Sequence, residues 1–136
     1  MTVPTGRTLA LSFDAQNDTT FSATVRFSPA AFRSDTTLTS QCKAATTALS
    51  DIMTADNGLG QGAISSSQAQ TLMAHAAQAL EGTSTAGVVG QELAALRTWL
   101  IGNPTADPRT APMPATMNEL CADNESPLLI SSSYGG

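Results

Sequence analysis

Residues 8–27 alternate between apolar and polar positions. Leu9, Leu11 and Phe13 interleave with Thr8, Ala10 and Ser12; Phe21, Ala23, Val25 and Phe27 interleave with Thr20, Ser22, Thr24 and Arg26. A period of two puts one apolar face on each strand. The segment between them, Asp14-Ala15-Gln16-Asn17-Asp18-Thr19, is rich in turn formers. The pattern predicts an antiparallel β-hairpin. Two strands alone are marginal in water, so this hairpin calls for a third strand or a layer of helices. Ser28-Pro29 then suggests a single helical turn through Phe32.

From residue 36 the period lengthens to that of a helix. Leu38, Cys42, Ala45, Leu49, Ile52 and Met53 form an apolar stripe over a helix of about 36–56, begun near Asp35 or Thr36 and stopped by Asn57-Gly58. Its threonines are poor helix formers, so packing must hold it. Gly58-Leu59-Gly60-Gln61-Gly62 reads as a flexible connector. Ser67 and Gln70 have capping-box spacing and open a helix of about 67–81, with Ala69, Leu72, Met73, Ala76, Ala79 and Leu80 inward and Gly82 at its end. Thr83-Ser84-Thr85 caps a third helix of about 86–101. Its stripe is Val89, Leu93, Leu96 and Leu100, with Trp99 beside it and Gly102-Asn103-Pro104 as the stop.

Composition changes at residue 103. Pro104, Pro108, Pro112 and Pro114 predict an extended, semi-rigid stretch. Thr116 and Glu119 repeat the capping-box spacing and start a short helix over 117–122. The chain then runs through Leu128-Leu129-Ile130, three serines and Tyr134. Three consecutive apolar residues on a polar tail need a partner. Residues 128–131 could pair with the chain's own hairpin or with a neighbour's. The predicted fold is therefore α+β: an N-terminal antiparallel β-hairpin packed on a small bundle of about three helices within residues 1–102, with an extended Pro-rich C-terminal arm over 103–136.

Composition narrows the function. Charged residues are 12% of the 136, about half the usual share. Alanine, threonine and serine fill 55 positions. Such a surface is weakly hydrated and easily desolvated, which favours burial against other chains. The six basic residues, Arg7, Arg26, Arg33, Lys43, Arg97 and Arg109, are scattered along a chain of net charge −5. That pattern disfavours nucleic acid and anionic membranes as partners. No apolar run is long enough to span a bilayer, and the N-terminus lacks a signal-peptide pattern. Cys42 and Cys121 are too distant for a zinc or redox motif. They read as two buried thiols, with a long-loop disulfide as the alternative. The sequons at Asn17 and Asn124 read as chance.

Candidate chemistry is thin. His75, the single histidine, would be needed by any Ser–His–Asp or Cys–His device, yet it lies mid-helix between alanines, and no G-x-S-x-G motif is present. The glycines at 58, 60 and 62 follow a helix rather than a strand and lack the rest of a dinucleotide fingerprint. Asp56-Asn57-Gly58 and Asp123-Asn124-Glu125 do not fit a calcium loop. Asp14 and Asp18, flanking the hairpin turn, read as turn residues. No catalytic, cofactor or metal site is expected. The expected function is a non-enzymatic structural subunit of a large symmetric assembly, with a virus particle such as a phage capsid or tail as the leading setting. Its partners would be copies of itself and neighbouring assembly proteins, and it would be assembled in the host cytoplasm. The alternative is a small cytoplasmic adaptor or regulatory binding module in a bacterial cell. The candidate interface residues are Trp99, Leu128, Leu129, Ile130 and Tyr134; Phe21 and Phe27 are assigned to the core.

Overall fold

The computed structural model describes residues 34–135 and, as backbone alone, residues 8–14 and 20–26. The chain divides into two compact units, 1–33 and 34–136. In the first unit, strand β1 (Thr8–Asp14) lies antiparallel to β2 (Thr20–Arg26) with Leu11 opposite Ala23. The turn at 15–19, the suggested helical turn at Ser28–Phe32, Phe27 and the basic residues Arg7 and Arg33 lie outside the described residues. So do the side chains of Asp14, Phe21 and Arg26.

The folded body is the second unit, and its class differs from the expectation. It holds four helices and, among residues 34–135, no strand: α1 (Thr36–Gly60), α2 (Ser66–Ala79), α3 (Gly87–Gly102) and α4 (Met117–Asp123). The α+β description, with a hairpin as one layer of the core, is therefore replaced by a helical one. The physical reason lies in α1. Its buried positions, Gln41, Cys42, Ala45, Ala48, Leu49, Ile52, Ala55 and Gly58, recur at steps of three and four. They cover a wider arc than a single stripe. α2, α3, α4 and the C-terminal segment together close that arc, so the core needs no sheet.

Helix ends explain most departures in boundaries. Asp35 caps α1, its carboxylate accepting from the Leu38 N–H at 3.1 Å. Asn57-Gly58 does not stop this helix. α1 runs to Gly60 and ends in a Schellman motif around Gly62, at φ 67°, with the Ala63 N–H donating to Gly58 O and the Gly62 N–H to Leu59 O. Gly58 is needed inside the helix. A Cβ there would stand 2.8 Å from Ile64 and 3.1 Å from the Tyr134 ring. The capping box of α2 forms two residues before the expected one, between Ser65 and Gln68. Ile64 and Ala69 then occupy the staple positions either side of the cap.

α3 has no side-chain cap. Its entry is held by Gln41, the one buried polar residue among the described residues, whose Nε2 donates to Ser84 O at 2.8 Å and Ala86 O at 3.0 Å. Gly90 permits this approach, since a Cβ there would meet Thr85 carbonyl carbon at 2.4 Å. Thr116 does not cap α4; its hydroxyl donates to Glu92 on α3 at 3.0 Å.

The Pro-rich stretch belongs to the helical body. Pro108 and Ala111 are buried, and Pro108–Thr110 forms a 3-10 turn capped by Asp107. Cys42 on α1 and Cys121 on α4 form a disulfide, correcting the reading as two free thiols. Both residues are fully enclosed. Among the described residues seventeen apolar side chains are buried, and six of them are alanine. Such a core buries little area per residue, so the covalent link carries much of the stability.

Candidate functional site

The most organised surface feature is the seat of the C-terminal segment on α1. α4 ends in a second Schellman motif: the Ser126 N–H donates to Cys121 O at 2.9 Å and the Glu125 N–H to Ala122 O at 3.1 Å. Glu125 takes the left-handed position, φ 56°, where glycine is the usual occupant. Asn124 ties this corner to the start of α1. Its Oδ1 accepts from the Asp35 N–H at 2.7 Å, and its Nδ2 lies within hydrogen-bond reach of Asp35 O, Thr39 Oγ1 and Ser126 Oγ. The Asn124 amide thus holds the corner between α4 and the start of α1.

From there residues 126–135 form a strap along α1, without regular structure to Ser132 and turning at Ser133–Tyr134. Burial alternates without interruption: Ser126, Leu128, Ile130, Ser132 and Tyr134 are half-buried, and Pro127, Leu129, Ser131, Ser133 and Gly135 are exposed. Leu128 and Ile130 pack against the core. A row of polar side chains on α1 reads the strap's backbone. The Ser131 N–H donates to Ser50 Oγ at 3.1 Å and the Ser133 N–H to Thr54 Oγ1 at 3.5 Å; Asn57 Nδ2 donates to Gly135 O and Gln61 Nε2 to Tyr134 O. Ser50, Thr54, Asn57 and Gln61 are spaced four, three and four, hence one face. The registers match over the first step, where four helical residues rise about 6 Å and two extended residues span about 6.6 Å; the chain then turns at Ser133–Tyr134, so that Asn57 meets Gly135 and Gln61 meets Tyr134.

This arrangement places each expected interface residue. Leu128, Ile130 and Tyr134 face their own α1, so the arm docks in cis. Leu129 points outward, 74% exposed. It borders a 430 Å³ cleft whose walls include Cys42, Lys43, Thr46 and Pro127. Trp99 lies on α3, half-buried against the core, and takes no part in holding the strap. The polar row along α1 and its C-cap was missed because Asn57 reads as part of a stop and Gln61 as part of a connector; the common spacing of Ser50, Thr54, Asn57 and Gln61 was the available signal.

Other groups are more dispersed. His75 on α2 does have a carboxylate partner, Nδ1 lying 2.6 Å from Asp51 Oδ2 on α1, and its side chain is 60% exposed. The pair bridges α1 and α2, and no serine or cysteine joins it among the described hydrogen bonds. Arg109 and Asp107 form a bidentate exposed pair. The guanidinium hydrogen bonds and the Arg109 backbone N–H hold the Asp107 carboxyl down at about 2, and the same pairing raises Arg109. A 270 Å³ cleft between α2 and α3 is walled by Met73, Ala77, Leu100 and Ile101, with Arg97 and Glu81 at its side. Among the described residues no three metal-ligating side chains gather, and no helix is long and apolar enough to cross a membrane. No protein-family model, characterised protein or solved structure matches the chain.

Proposed function

We propose that the chain is a non-enzymatic structural subunit of a large symmetric protein assembly, a virus particle such as a phage capsid or tail being the setting that fits it best. The observation that carries this reading is the strap. It is docked along α1, yet it holds Leu129 out in solvent beside a mostly apolar cleft. An apolar side chain held outward on a docked segment is suited to a neighbouring subunit's surface. The sparse charge of the chain lowers the desolvation cost of such contacts. The disulfide adds to this. Cross-links of this kind persist on secreted proteins and particle surfaces and are rare in resident cytosolic proteins. The disulfide weighs against the cytoplasmic adaptor alternative and supports a particle that works outside the reducing cytosol.

The test is to express the chain, separate it by sedimentation and view the fast-sedimenting fraction by electron microscopy. Regular particles or rings built from the chain support the reading. A chain that sediments only as a monomer, and that amine cross-linkers fail to join at high concentration, refutes it.

A further inference from the structure

We infer that the strap is an exchangeable arm: residues 126–135 leave their own α1 and occupy the same face of α1 in a second copy. This deepens the assembly reading and rests on it for its partner. Three observations point the same way.

The seat reads backbone and alternate side chains, so a second copy's strap would make every contact that the chain's own strap makes. Ser50, Thr54, Asn57 and Gln61 would bind the same backbone groups, and Gly58 would leave the same seat for the Tyr134 ring.

The hinge is the second observation. Glu125 sits at φ 56° in a position that favours glycine, and Pro127 lies two residues on. Swinging the strap outward lets Glu125 relax to an ordinary backbone conformation. Strained hinges of this kind favour exchange of identical elements between copies.

The third is that the root stays fixed. Cys121 is bonded to Cys42, and Asn124 is tied to Asp35 and Thr39. The arm can therefore leave while the four helices stay joined. With Asn124 held at the root and 126–135 seated on the neighbour, Glu125 alone bridges the two copies, so exchange needs the neighbour's seat to begin within about 7 Å of the root. In dilute solution the tethered strap outcompetes any other copy, because its effective concentration is of millimolar order. Neighbours packed in an assembly reach the same concentration, and relief at Glu125 then favours exchange.

The experiment uses two differently tagged full-length chains with the native disulfide intact, one Ser50→Cys and one Ser131→Cys. They are mixed under conditions that give assembly, treated with a short bis-maleimide and run on a denaturing gel. Exchange yields a covalent heterodimer in the assembled fraction, and adding Glu125→Gly to both chains lowers that yield about fivefold. A chain carrying both substitutions serves as the control for reach, closing on itself in dilute solution. Assembly by light scattering without any heterodimer overturns the exchange and leaves the assembly reading standing. A monomer at every concentration, with internal closure only, overturns both.

Discussion

Replacing Cys42 and Cys121 by alanine opens a loop closed by two residues 79 positions apart. In the chain-entropy treatment a loop of about 80 residues gives about 15 cal/mol/K, or about 4.5 kcal/mol at 25 °C, of destabilisation of the unfolded state. A domain of this size has about 5–15 kcal/mol in all. The alanine-rich core puts this one towards the lower end, so loss of the link removes a large fraction of the total. The assay is urea unfolding followed by circular dichroism, comparing the oxidised chain, the same chain reduced, and Cys42→Ala/Cys121→Ala. With a slope of about 1.5 kcal/mol/M the midpoint should fall by about 3 M. The reduced chain isolates loop entropy, because it keeps both sulfur atoms. A shift worth less than about 1 kcal/mol in both comparisons would refute the reasoning, since the helices would then hold together without the staple.

Gly90→Ala should cost about 2 kcal/mol or more, because its Cβ would meet backbone at 2.4 Å, whereas Gly60→Ala, with open space around it, should be neutral or stabilising. Parallel thermal melts of the two variants check this. Glu125→Gly should stabilise the folded chain by about 0.5–1 kcal/mol by removing a side chain from a left-handed position, read as a higher urea midpoint. Ile130→Ala should cost about 1–2 kcal/mol, less than a fully buried isoleucine, and should increase hydrogen exchange in the strap more than in α3. Asp107, normally titrating at 3.8, is held at about 2 by Arg109. Its folded-state value is depressed, so any stability it adds is present above about pH 4 and is lost as pH falls towards 2. The pair is exposed, so the readout is the carboxyl carbon chemical shift, and Arg109→Ala should return the midpoint towards its ordinary value.

The helices were legible in the sequence because burial at Val89, Leu93, Leu96 and Leu100 leaves a plain helical stripe. Their ends were less so. Asn57-Gly58 looks like a stop, but tertiary contacts with Ile64 and Tyr134 keep Gly58 within the helix and give it a packing role. Three serines in a row offered two capping boxes, and local spacing alone could not choose Ser65 over Ser67. The overall class failed for a physical reason. The hairpin's apolar alternation calls for a layer of helices to pack on, whereas the helical body is covered by α4, the Pro108 turn and the strap. The strap itself shows alternation as clear as the hairpin's. Residues 128–131 were legible as an extended segment in need of a partner, but not that the partner is α1, because serine at 126 and 132 fills inward positions that a strand pattern would give to apolar residues. The disulfide had no local signature, since its partners lie on different helices and meet only through the fold.

Assembly is the claim on which the functional account depends. Its most direct test is the absolute mass of the oxidised full-length chain by multi-angle light scattering, from micromolar to millimolar concentration. The account calls for a discrete oligomer of many copies, appearing cooperatively as concentration rises and lost when Leu129→Ser removes the outward apolar contact. A mass fixed at that of one 13.9 kDa chain across the whole range would contradict it.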